Sequence, residues 1–335
     1  MSEEWIRIII PTRNNEKIIL ACLGNIFNQT YKRIKVTIID DCSEDRTVKL
    51  IKKFYPQAEV ITNQEVQGPA KNRNIAPSQI SENWILFLDS DAYPEKNWLS
   101  RAFPIIQKDK RIGILGGKIF YTKKSKEKRR AIQSRGGYMH ISGIIGLYKT
   151  VFSGRKEYIW LPSSTFLVSK KVFNQIGGFD QNFFYLIEDN DLCWRTIIAG
   201  YKVVYNKNLI SLHQHSKTAQ STFKKSRVAY LTKRNKMLML FKNYEITSLI
   251  KYLPVITFVI LLETISLDNP LAILRGNLAP FKHLKTIVKQ RGEIKKYRRT
   301  KDKKIIGRLI SPNLLATLKL IKADGYVKAQ KSRGN

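Results

Sequence analysis

The sequence has few cysteines and no sign of an export signal. Its three cysteines are far apart in the chain, odd in number and without the spacing of a metal site: Cys22, Cys42 and Cys193. Nothing here indicates a disulfide framework or a structural zinc site, and the pattern suits a reducing compartment. The first residues, MSEEWIRIII, begin acidic and lack the basic segment and small-residue cleavage site of a signal peptide. We therefore expect the protein to stay on the cytoplasmic side of the membrane.

The sequence also lacks a long apolar run. From Ser226 the pattern is that of long amphipathic helices, and the most apolar stretch, residues 252–267, includes Glu263 and is flanked by Lys251 and Asp268. A bilayer span needs ~20 apolar residues. We predict a helix that lies in a membrane interface, with a buried core helix and a membrane span as the alternatives.

Acidic residues are scarce relative to basic ones. The 335 residues include 60 Lys and Arg and 26 Asp and Glu, a formal net charge of +34, and the chain from Lys217 onward has 27 of the basic but 6 of the acidic residues. This excess favours nucleic acid, anionic lipid headgroups or phosphorylated substrates as partners, and a solvated lysine-rich surface is the alternative. Basic pairs in this part of the chain, such as Arg298-Arg299, would contribute about 1 kcal/mol per residue at an anionic leaflet.

What the chain does have is a regular alternation of strand and helix patterns. With 43% hydrophobic residues it can form one large domain or two smaller ones. Alternating elements of this kind form a mostly parallel sheet with helices on both faces, a Rossmann-like α/β fold. We predict strands at residues 5–10, 34–39, 58–62 and 84–88, and helices at 16–28, about 45–54 and from Gly68-Pro69 onward.

The pattern is less regular after residue 120. Residues 121–158 show no sustained period, and we expect loops with short elements and a partly mobile lid there. Beyond them we predict a helix that Ser169 caps and that ends before Gly177-Gly178, a helix at 188–199 and a strand at 201–205.

Polar residues follow three of the predicted strands. Pro11-Thr12-Arg13-Asn14 ends the first strand, Asp40-Asp41 the second and Asp89-Ser90-Asp91 the fourth. Ligands of open α/β sheets bind at the carboxyl ends of the strands, near the point where the strand order changes. These three polar ends are therefore predicted to line one crevice.

Asp89 and Asp91 are the candidate metal ligands. Two carboxylates at the end of an apolar strand are costly without a cation, and Mn²⁺ or Mg²⁺ takes oxygen ligands together with substrate phosphates. A helix cap or Asx turn is the structural alternative. His213, which with His215 follows the next apolar strand, would be a third ligand.

Two further motifs have the residue types that a transfer site needs. Arg73, one turn into the helix that begins at Gly68, suits bidentate phosphate or base contacts, with an ion pair as the alternative. Glu188, Asp189 and Asp191 put three acids into one helical turn, where the helix dipole favours them, and one of them would serve as a general base on a hydroxyl.

Taken in order, these motifs resemble the family-2 glycosyltransferases of the GT-A fold over about residues 5–220. The resemblance implies a nucleotide-diphosphate sugar donor, a divalent cation and inversion at the anomeric carbon. It also implies roles for single residues. Pro11, Thr12, Asn14, Arg73 and Asp41, with Asp40 as its substitute, would line the nucleotide pocket; Asp89 and Ser90 would face the donor; Asp91, Asp89 and His213 would bind the metal; Asp189 would be the base, with Glu188 and Asp191 as the other contenders.

The resemblance also divides the chain. Residues 1–220 would form the catalytic domain, with a nucleotide-binding half at about 1–118 and an acceptor half at about 119–220. Residues 221–335 would form a basic, amphipathic, membrane-associating region. We expect a peripheral or monotopic protein on the cytoplasmic face of the membrane that transfers a hexosyl or deoxyhexosyl group to a glycan or lipid-linked saccharide, with the rhamnosyltransferase-like branch most similar. Cys42 stands where the family usually has glycine, so the turn after Asp41 is expected to differ.

Two other functions fit parts of the sequence. A non-catalytic protein that binds nucleic acid would explain the charge, but the basic region lacks interleaved aromatic residues and a helix-turn-helix pattern. A sugar-nucleotidyltransferase would need a glycine-rich basic loop after the first strand, and residues 11–15 contain no glycine.

Overall fold

The computed structural model describes residues 4–77, 79–124, 130–148, 157–214, 224–266, 268–308 and 310–323. A nine-stranded sheet forms the centre of the fold, and a second, three-stranded sheet lies beside it. The strands are β1 Ile6–Thr12, β2 Ile34–Asp40, β3 Glu59–Thr62, β4 Trp84–Leu88, β5 Ala92–Pro94, β6 Ile112–Lys124, β7 Arg130–Ser134, β8 Gly137–His140, β9 Ile145–Leu147, β10 Thr165–Ser169, β11 Lys202–His213 and β12 Ile310–Ser311.

Helices connect the strands and make up most of the C-terminal third. They are α1 Ile19–Phe27, α2 Thr47–Phe54, α3 Pro69–Ile75, α4 Trp98–Lys108, α5 Lys170–Gln175, α6 Glu188–Ile198, α7 Lys225–Asn243, α8 Ile246–Ser266, α9 Pro270–Leu278, α10 Leu284–Tyr297, α11 Asp302–Ile305 and α12 Leu314–Ala323. Short 3-10 helices occupy Gln181–Phe183 and Ala279–His283.

The α/β fold class is confirmed, with a parallel first half of the main sheet and a mixed second half. The strand order is β3-β2-β1-β4-β10-β6-β11-β5, with β7 paired to β6. The first four strands are parallel, as are β6 and β11. β10 runs antiparallel to both of its neighbours, and β5 runs antiparallel to β11. The order changes at β1 and β4, where the polar strand ends lie.

Two cores cover the two faces of the main sheet. Alternate residues of each central strand point to opposite faces, so that Ile9 and Phe87 join one core while Ile8 and Leu86 join the other. The first core extends through α6 into α7, and the second packs under α1 and α4. Both faces are buried, which is why the strands are apolar throughout rather than alternating.

Two strand ends were predicted wrongly, each for a local reason. Pro11 does not end β1, because it lies beyond the register with β4 and pairs only with Ile39 of β2, where a missing N–H is tolerated. β11 runs to His213, since two register shifts conceal its period. The helix predicted after Ser169 has the expected bounds, since α5 begins at Lys170 and ends before Gly177-Gly178, but the Ser169 side chain makes no capping hydrogen bond.

The prediction of loops at 121–158 was wrong in part. The described residues there include the end of β6 and all of β7, β8 and β9, and residues 125–129 and 149–156 lie outside the described ones. All four residues of β8 are buried, so this short strand shows no polar alternation that a sequence pattern would reveal.

Helix α7 packs against α6 and against the other C-terminal helices α9 and α10. Residues 235–240 in the middle of α7 are all buried, so α7 is a core helix rather than a surface helix. Among the described residues, one helix, Ile246–Ile265 within α8, is long and apolar enough to cross a membrane, and little of it is buried inside the protein.

Candidate active site

The ends of β1 and β4 meet through an asparagine that follows β1. The Asn15 amide Nδ2 donates to Thr12 Oγ1 at 3.1 Å and to Ser90 Oγ at 3.0 Å. The backbone N–H of Asp41 donates to the Thr12 carbonyl at 2.8 Å. Hydrogen bonds therefore join the three polar strand ends at one edge of the sheet.

The turns after β1 and β2 hold each other in a left-handed conformation. Asn14 and Cys42 have φ of 51° and 60°. The Asn14 N–H donates to Ser43 Oγ at 2.9 Å, and the Asn14 Oδ1 accepts from the Glu44 N–H at 2.9 Å. Cys42 thus adopts the conformation that glycine adopts most readily, so the turn keeps a glycine-like shape with a cysteine in it.

Asp40 and Asp41 differ in what their carboxylates bind. Asp41 accepts from the backbone N–H groups of Gln67 and Gly68, at 2.7 and 3.0 Å, and from Asn63 Nδ2 at 3.0 Å. Asp41 therefore fixes the turn that begins α3. Asp40 is fully buried; its Oδ2 accepts from Ser43 N–H at 3.2 Å, and no described residue binds its Oδ1.

Gly68 in that turn is required by geometry. Its φ is +81°, and a Cβ at this position would come within 2.8 Å of the Phe184 ring. The turn bound by Asp41 therefore packs directly against the segment that precedes α6.

Asp89, Asp91 and His213 form a compact cluster at the ends of β4 and β11. One ligand atom from each lies within 4.8 Å of the others. His213 Nε2 is 3.0 Å from Asp91 Oδ1 and 3.7 Å from Asp89 Oδ2. Burial alone would lower the pKa of His213, but the hydrogen bond that its Nε2–H donates to Asp91 and the charges of both carboxylates raise it. Two carboxylates and an imidazole are donors that suit Mn²⁺ or Mg²⁺.

Gln133 of β7 is a site residue that the sequence did not reveal. Its Oε1 lies 3.1 Å from His213 Nδ1. Donation of Nδ1–H to Gln133 leaves Nε2, the ring nitrogen that faces the two aspartates, to bind a cation once its own proton is lost.

Arg73 links Asp89, at the end of β4, to Glu188, at the start of α6. It is buried, with its guanidinium 2.7 Å from Asp89 Oδ1 and 3.2 Å from Glu188 Oε1, and it stacks over the Phe179 ring. It is the buried ion-pair partner of two acids, whereas the sequence suggested a free phosphate contact or a surface ion pair. Through Arg73, the Asp89–Asp91–His213 cluster and Glu188 of α6 share one charge network.

The three acids of α6 point to three different partners. Glu188 is buried against Arg73, and burial raises the pKa of Glu188 against the pull of that guanidinium. Asp189 is partly exposed and accepts from Ser163 N–H at 3.2 Å and Asn190 N–H at 2.8 Å. Burial of its carboxyl oxygens and the charge of Glu188 raise the pKa of Asp189 to about 7.

Asp191 lies on the other side of the helix, away from solvent. It is fully buried and binds Arg195 at 2.7 Å, Lys242 at 2.9 Å and Asn243 at 2.9 Å. Lys242 also binds Asp180. Burial would raise the pKa of Asp180, but the positive charge of Lys242 outweighs it and holds that pKa well below its usual range. Asp191 thus anchors α6 to α7.

Lys242→Met should destabilise the fold by about 3–5 kcal/mol, because it leaves two buried carboxylates short of a cation. Urea unfolding measures this. Lys296→Met is the matched control: Lys296 forms an exposed pair with Glu293, so its loss should change the free energy of unfolding by less than about 1 kcal/mol. Equal effects from the two substitutions would contradict the anchoring role.

Comparison with known proteins gives a consistent picture. A family model described as glycosyl transferase family 2 matches residues 7–179. Glycosyltransferase AglE of Haloferax volcanii is 26% identical over 216 residues, which cover 62% of this chain and 66% of AglE. The dolichyl N-acetyl-alpha-D-glucosaminyl phosphate 3-beta-D-2,3-diacetamido-2,3-dideoxy-beta-D-glucuronosyltransferase of Methanococcus voltae is 26% identical over 261 residues, 72% of this chain and 75% of that protein. The chain covers less than two thirds of the length of several other curated relatives.

Solved structures agree on the architecture. GalNAc-T7 in complex with UDP, GalNAc and Mn²⁺ aligns with a TM-score of 0.58 at 14% identity, over 74% of this chain and 50% of that one. At this identity the likeness shows the fold alone, and that fold is the mixed α/β GT-A type.

Proposed function

The chain belongs to glycosyl transferase family 2, because the family model covers more than half of its residues, and from this premise we propose an inverting, metal-dependent sugar transfer. The donor would be a nucleotide-diphosphate sugar and the acceptor a hydroxyl of a glycan or lipid-linked saccharide. One observation carries the proposal: the Asp89–Asp91–His213 cluster and the acid pair Glu188–Asp189 meet across Arg73.

Asp89, Asp91 and His213 would hold Mn²⁺ or Mg²⁺. Such an ion supplies positive charge that offsets the charge developing on a leaving diphosphate. The chain's own part is to orient the ligands: Gln133 fixes the His213 ring, and Arg73 fixes Asp89.

Asp189 is the proposed general base. Asp189 as a residue is partly exposed, and its raised pKa of about 7 makes its carboxylate a stronger base than an ordinary aspartate while about half of it is ionised at neutral pH. Glu188 is bound to Arg73 and Asp191 is bound to Arg195 and Lys242, so these two contenders are better suited to holding the site together.

The remaining predicted residues are proposed as the walls of the donor pocket. Asp41 would act through the amides of the Gln67–Gly68 turn, and Asp40, whose buried carboxylate accepts from the Ser43 N–H, would hold the turn that follows β2. The others retain the roles predicted from the sequence: Pro11, Thr12, Asn14 and Ser90.

A membrane surface is the proposed partner of the C-terminal region, residues 221–335, next to the catalytic domain of residues 1–220. Large apolar side chains on α8, α9, α10 and the 3-10 helix between the last two are exposed; we call them the apolar face: Ile246, Ile250, Leu253, Phe258, Leu261, Ile265, Leu271, Leu274, Leu278, Phe281, Leu284 and Val288. Basic residues interleave with them: Lys251, Arg275, Lys282, Lys285 and Lys289. Apolar residues flanked by lysines fit an anionic leaflet, here the cytoplasmic one, with monotopic attachment.

Ile265→Glu combined with Phe281→Glu should weaken binding to vesicles of anionic phospholipid at least tenfold. These side chains are 82% and 62% exposed, and inserting each into a bilayer would contribute roughly 1.5–3 kcal/mol. Phe54→Glu is the control, because Phe54 is 53% exposed on α2 of the catalytic domain. Vesicle co-sedimentation that is insensitive to the double substitution would contradict this surface.

The identity of the donor is tested by a screen. Purified full-length protein with Mn²⁺ would be mixed with UDP-, GDP- and dTDP-linked hexoses and deoxyhexoses, a nucleotide-linked rhamnose among them, and its thermal stability followed. A bound donor raises stability by mass action, so we expect one nucleotide class to shift the unfolding temperature. Sugar transfer with that donor supports the proposal, and no shift and no transfer with any of them would contradict it.

A further inference from the structure

One buried amide of α7 contacts the backbone that leads into the acid pair. Asn235 is fully buried, and its Nδ2 lies 3.0 Å from the Phe183 carbonyl and 2.8 Å from each of the Tyr185 and Leu186 carbonyls. Three carbonyl oxygens around one atom fix the orientation of the amide, because the side-chain oxygen in that place would face three acceptors.

The segment that Asn235 holds, residues 184–187, has an unusual backbone. Phe184, Leu186 and Ile187 have φ of 58°, 71° and 71°. Bulky and β-branched residues rarely adopt positive φ, and they persist there only where the surroundings impose it. Three such residues in a stretch of four require a restraint from outside the segment, and the Asn235 amide is placed to supply it.

Segment 184–187 touches both halves of the active site. Ile187 immediately precedes α6 and so sets where the turn with Glu188 and Asp189 begins. On its other side, the Phe184 ring packs against Gly68, in the turn whose amides bind Asp41. A shift of this segment would therefore move the proposed base Asp189, and it would also disturb the Gly68 turn beside the proposed donor pocket.

α7 holds this region at more than one point and joins it to the helices with the apolar face. Lys242, seven residues after Asn235 and so on the same helical face, binds Asp180 and Asp191 on either side of segment 184–187. On another side of α7, Lys236 Nζ binds Glu263 of α8 at 2.8 Å.

We propose that Asn235 is a positioning residue, which holds segment 184–187 in its positive-φ conformation so that Asp189 is aimed at the acceptor hydroxyl. Through α7, the helices with the apolar face and the catalytic acid belong to one connected unit. This inference rests on the proposed role of Asp189 as the base. It makes the rate of sugar transfer depend on Asn235, a residue of the C-terminal region.

The test compares Asn235→Leu with Asn277→Leu in the full-length protein. Asn277 is also buried, lies on α9, and has no hydrogen bond from its side chain to any described residue. The two variants therefore make the same change of side chain in the same helical layer. Hydrogen–deuterium exchange of peptides covering residues 183–190 and steady-state kinetics with the donor are measured for both.

We expect Asn235→Leu to raise exchange at residues 184–190 at least tenfold and to lower kcat at least tenfold, with the donor KM changed less than threefold. Asn277→Leu should leave both quantities within twofold of the wild-type values, whatever its effect on the unfolding temperature. If Asn235→Leu does not fold, Asn235→Ser, which keeps one donor, should give the same changes in the same direction at smaller size.

Exchange and kcat that are the same in the two leucine variants would overturn the proposal, as would a change confined to KM. Wild-type exchange and kcat in a folded Asn235→Ser variant would overturn it when the leucine variant does not fold. The exchange result is independent of the substrate, so it decides whether Asn235 holds the segment even if the wild-type protein transfers no sugar. In that case the proposed function fails, and with it the catalytic part of the inference.

Discussion

Asp189→Asn should lower kcat by about 10²–10⁴-fold while the protein remains folded, the effect of removing a general base. The asparagine keeps the size of the side chain and one acceptor oxygen for the N–H of Ser163 or Asn190. Donor binding should be unchanged, because Asp189 makes no described hydrogen bond to the strand ends of the donor pocket. Transfer assays with the donor from the screen, together with its thermal shift, measure both quantities.

The pH dependence of the wild-type enzyme is part of the same prediction. Burial and the charge of Glu188 raise the pKa of Asp189 to about 7, and the base acts in its deprotonated form. Below that pKa, kcat/KM should therefore fall about tenfold for each pH unit, and above it kcat/KM should level off. The residual activity of Asp189→Asn should lack this acidic limb.

Asp109→Asn is the matched control for the base. Asp109 pairs with Lys202 on the surface, and the same substitution there should leave kcat within twofold. If Asp189→Asn retained full activity with an unchanged pH profile, Asp189 would not be the base, and Glu188 would be tested next.

Asp91→Asn should abolish tight Mn²⁺ binding and lower turnover by about 10²–10³-fold, the several kcal/mol that a bound cation contributes to a reaction with charge on the leaving group. The substitution removes the carboxylate that lies 3.0 Å from His213 Nε2. It should also lower the pKa of His213, because that hydrogen bond and charge hold the pKa up. Titration of free Mn²⁺ by electron paramagnetic resonance measures the binding, and the transfer assay measures the turnover.

Gln133→Leu tests a residue that orients the proposed ligand His213 without binding the metal itself. Gln133 contacts His213 Nδ1 and is not itself one of the three proposed ligands. The cluster should therefore still bind Mn²⁺ in this variant, about 10–100-fold more weakly than in the wild type. Equal Mn²⁺ affinity for Asp91→Asn and the wild-type protein would contradict the metal cluster as a whole.

Much of the first half of the fold was predictable from the sequence. β4 lies where an unbroken apolar run predicted it, and α3 begins at the Gly68-Pro69 pair as the turn chemistry indicated. Parallel strands with polar ends meet at one edge of a sheet by topology alone, so Thr12, Asp41 and Ser90 were correctly predicted to lie together there.

Long-range contacts account for what the sequence did not reveal. Gln133 lies 80 positions from His213 in the chain, on a strand within residues 121–158, where the sequence shows no sustained hydrophobic period. Arg73 and Glu188 are 115 positions apart, and nothing local to either predicts that they pair. Asn235 and Lys242 lie on a helix whose polar residues suggest a surface helix, yet their partners lie on α6 and on the segment that precedes it. Such pairings are set by packing of distant elements, which periodicity within one element does not encode.

The most direct test of sugar transfer at a metal site is nucleoside diphosphate release by the full-length protein, measured with the donor from the screen before and after chelation. We predict release with Mn²⁺ present, its loss after treatment with a chelator, and its return when Mn²⁺ is added back. Release that persists unchanged after chelation, with Asp91→Asn as active as the wild type, would contradict the account.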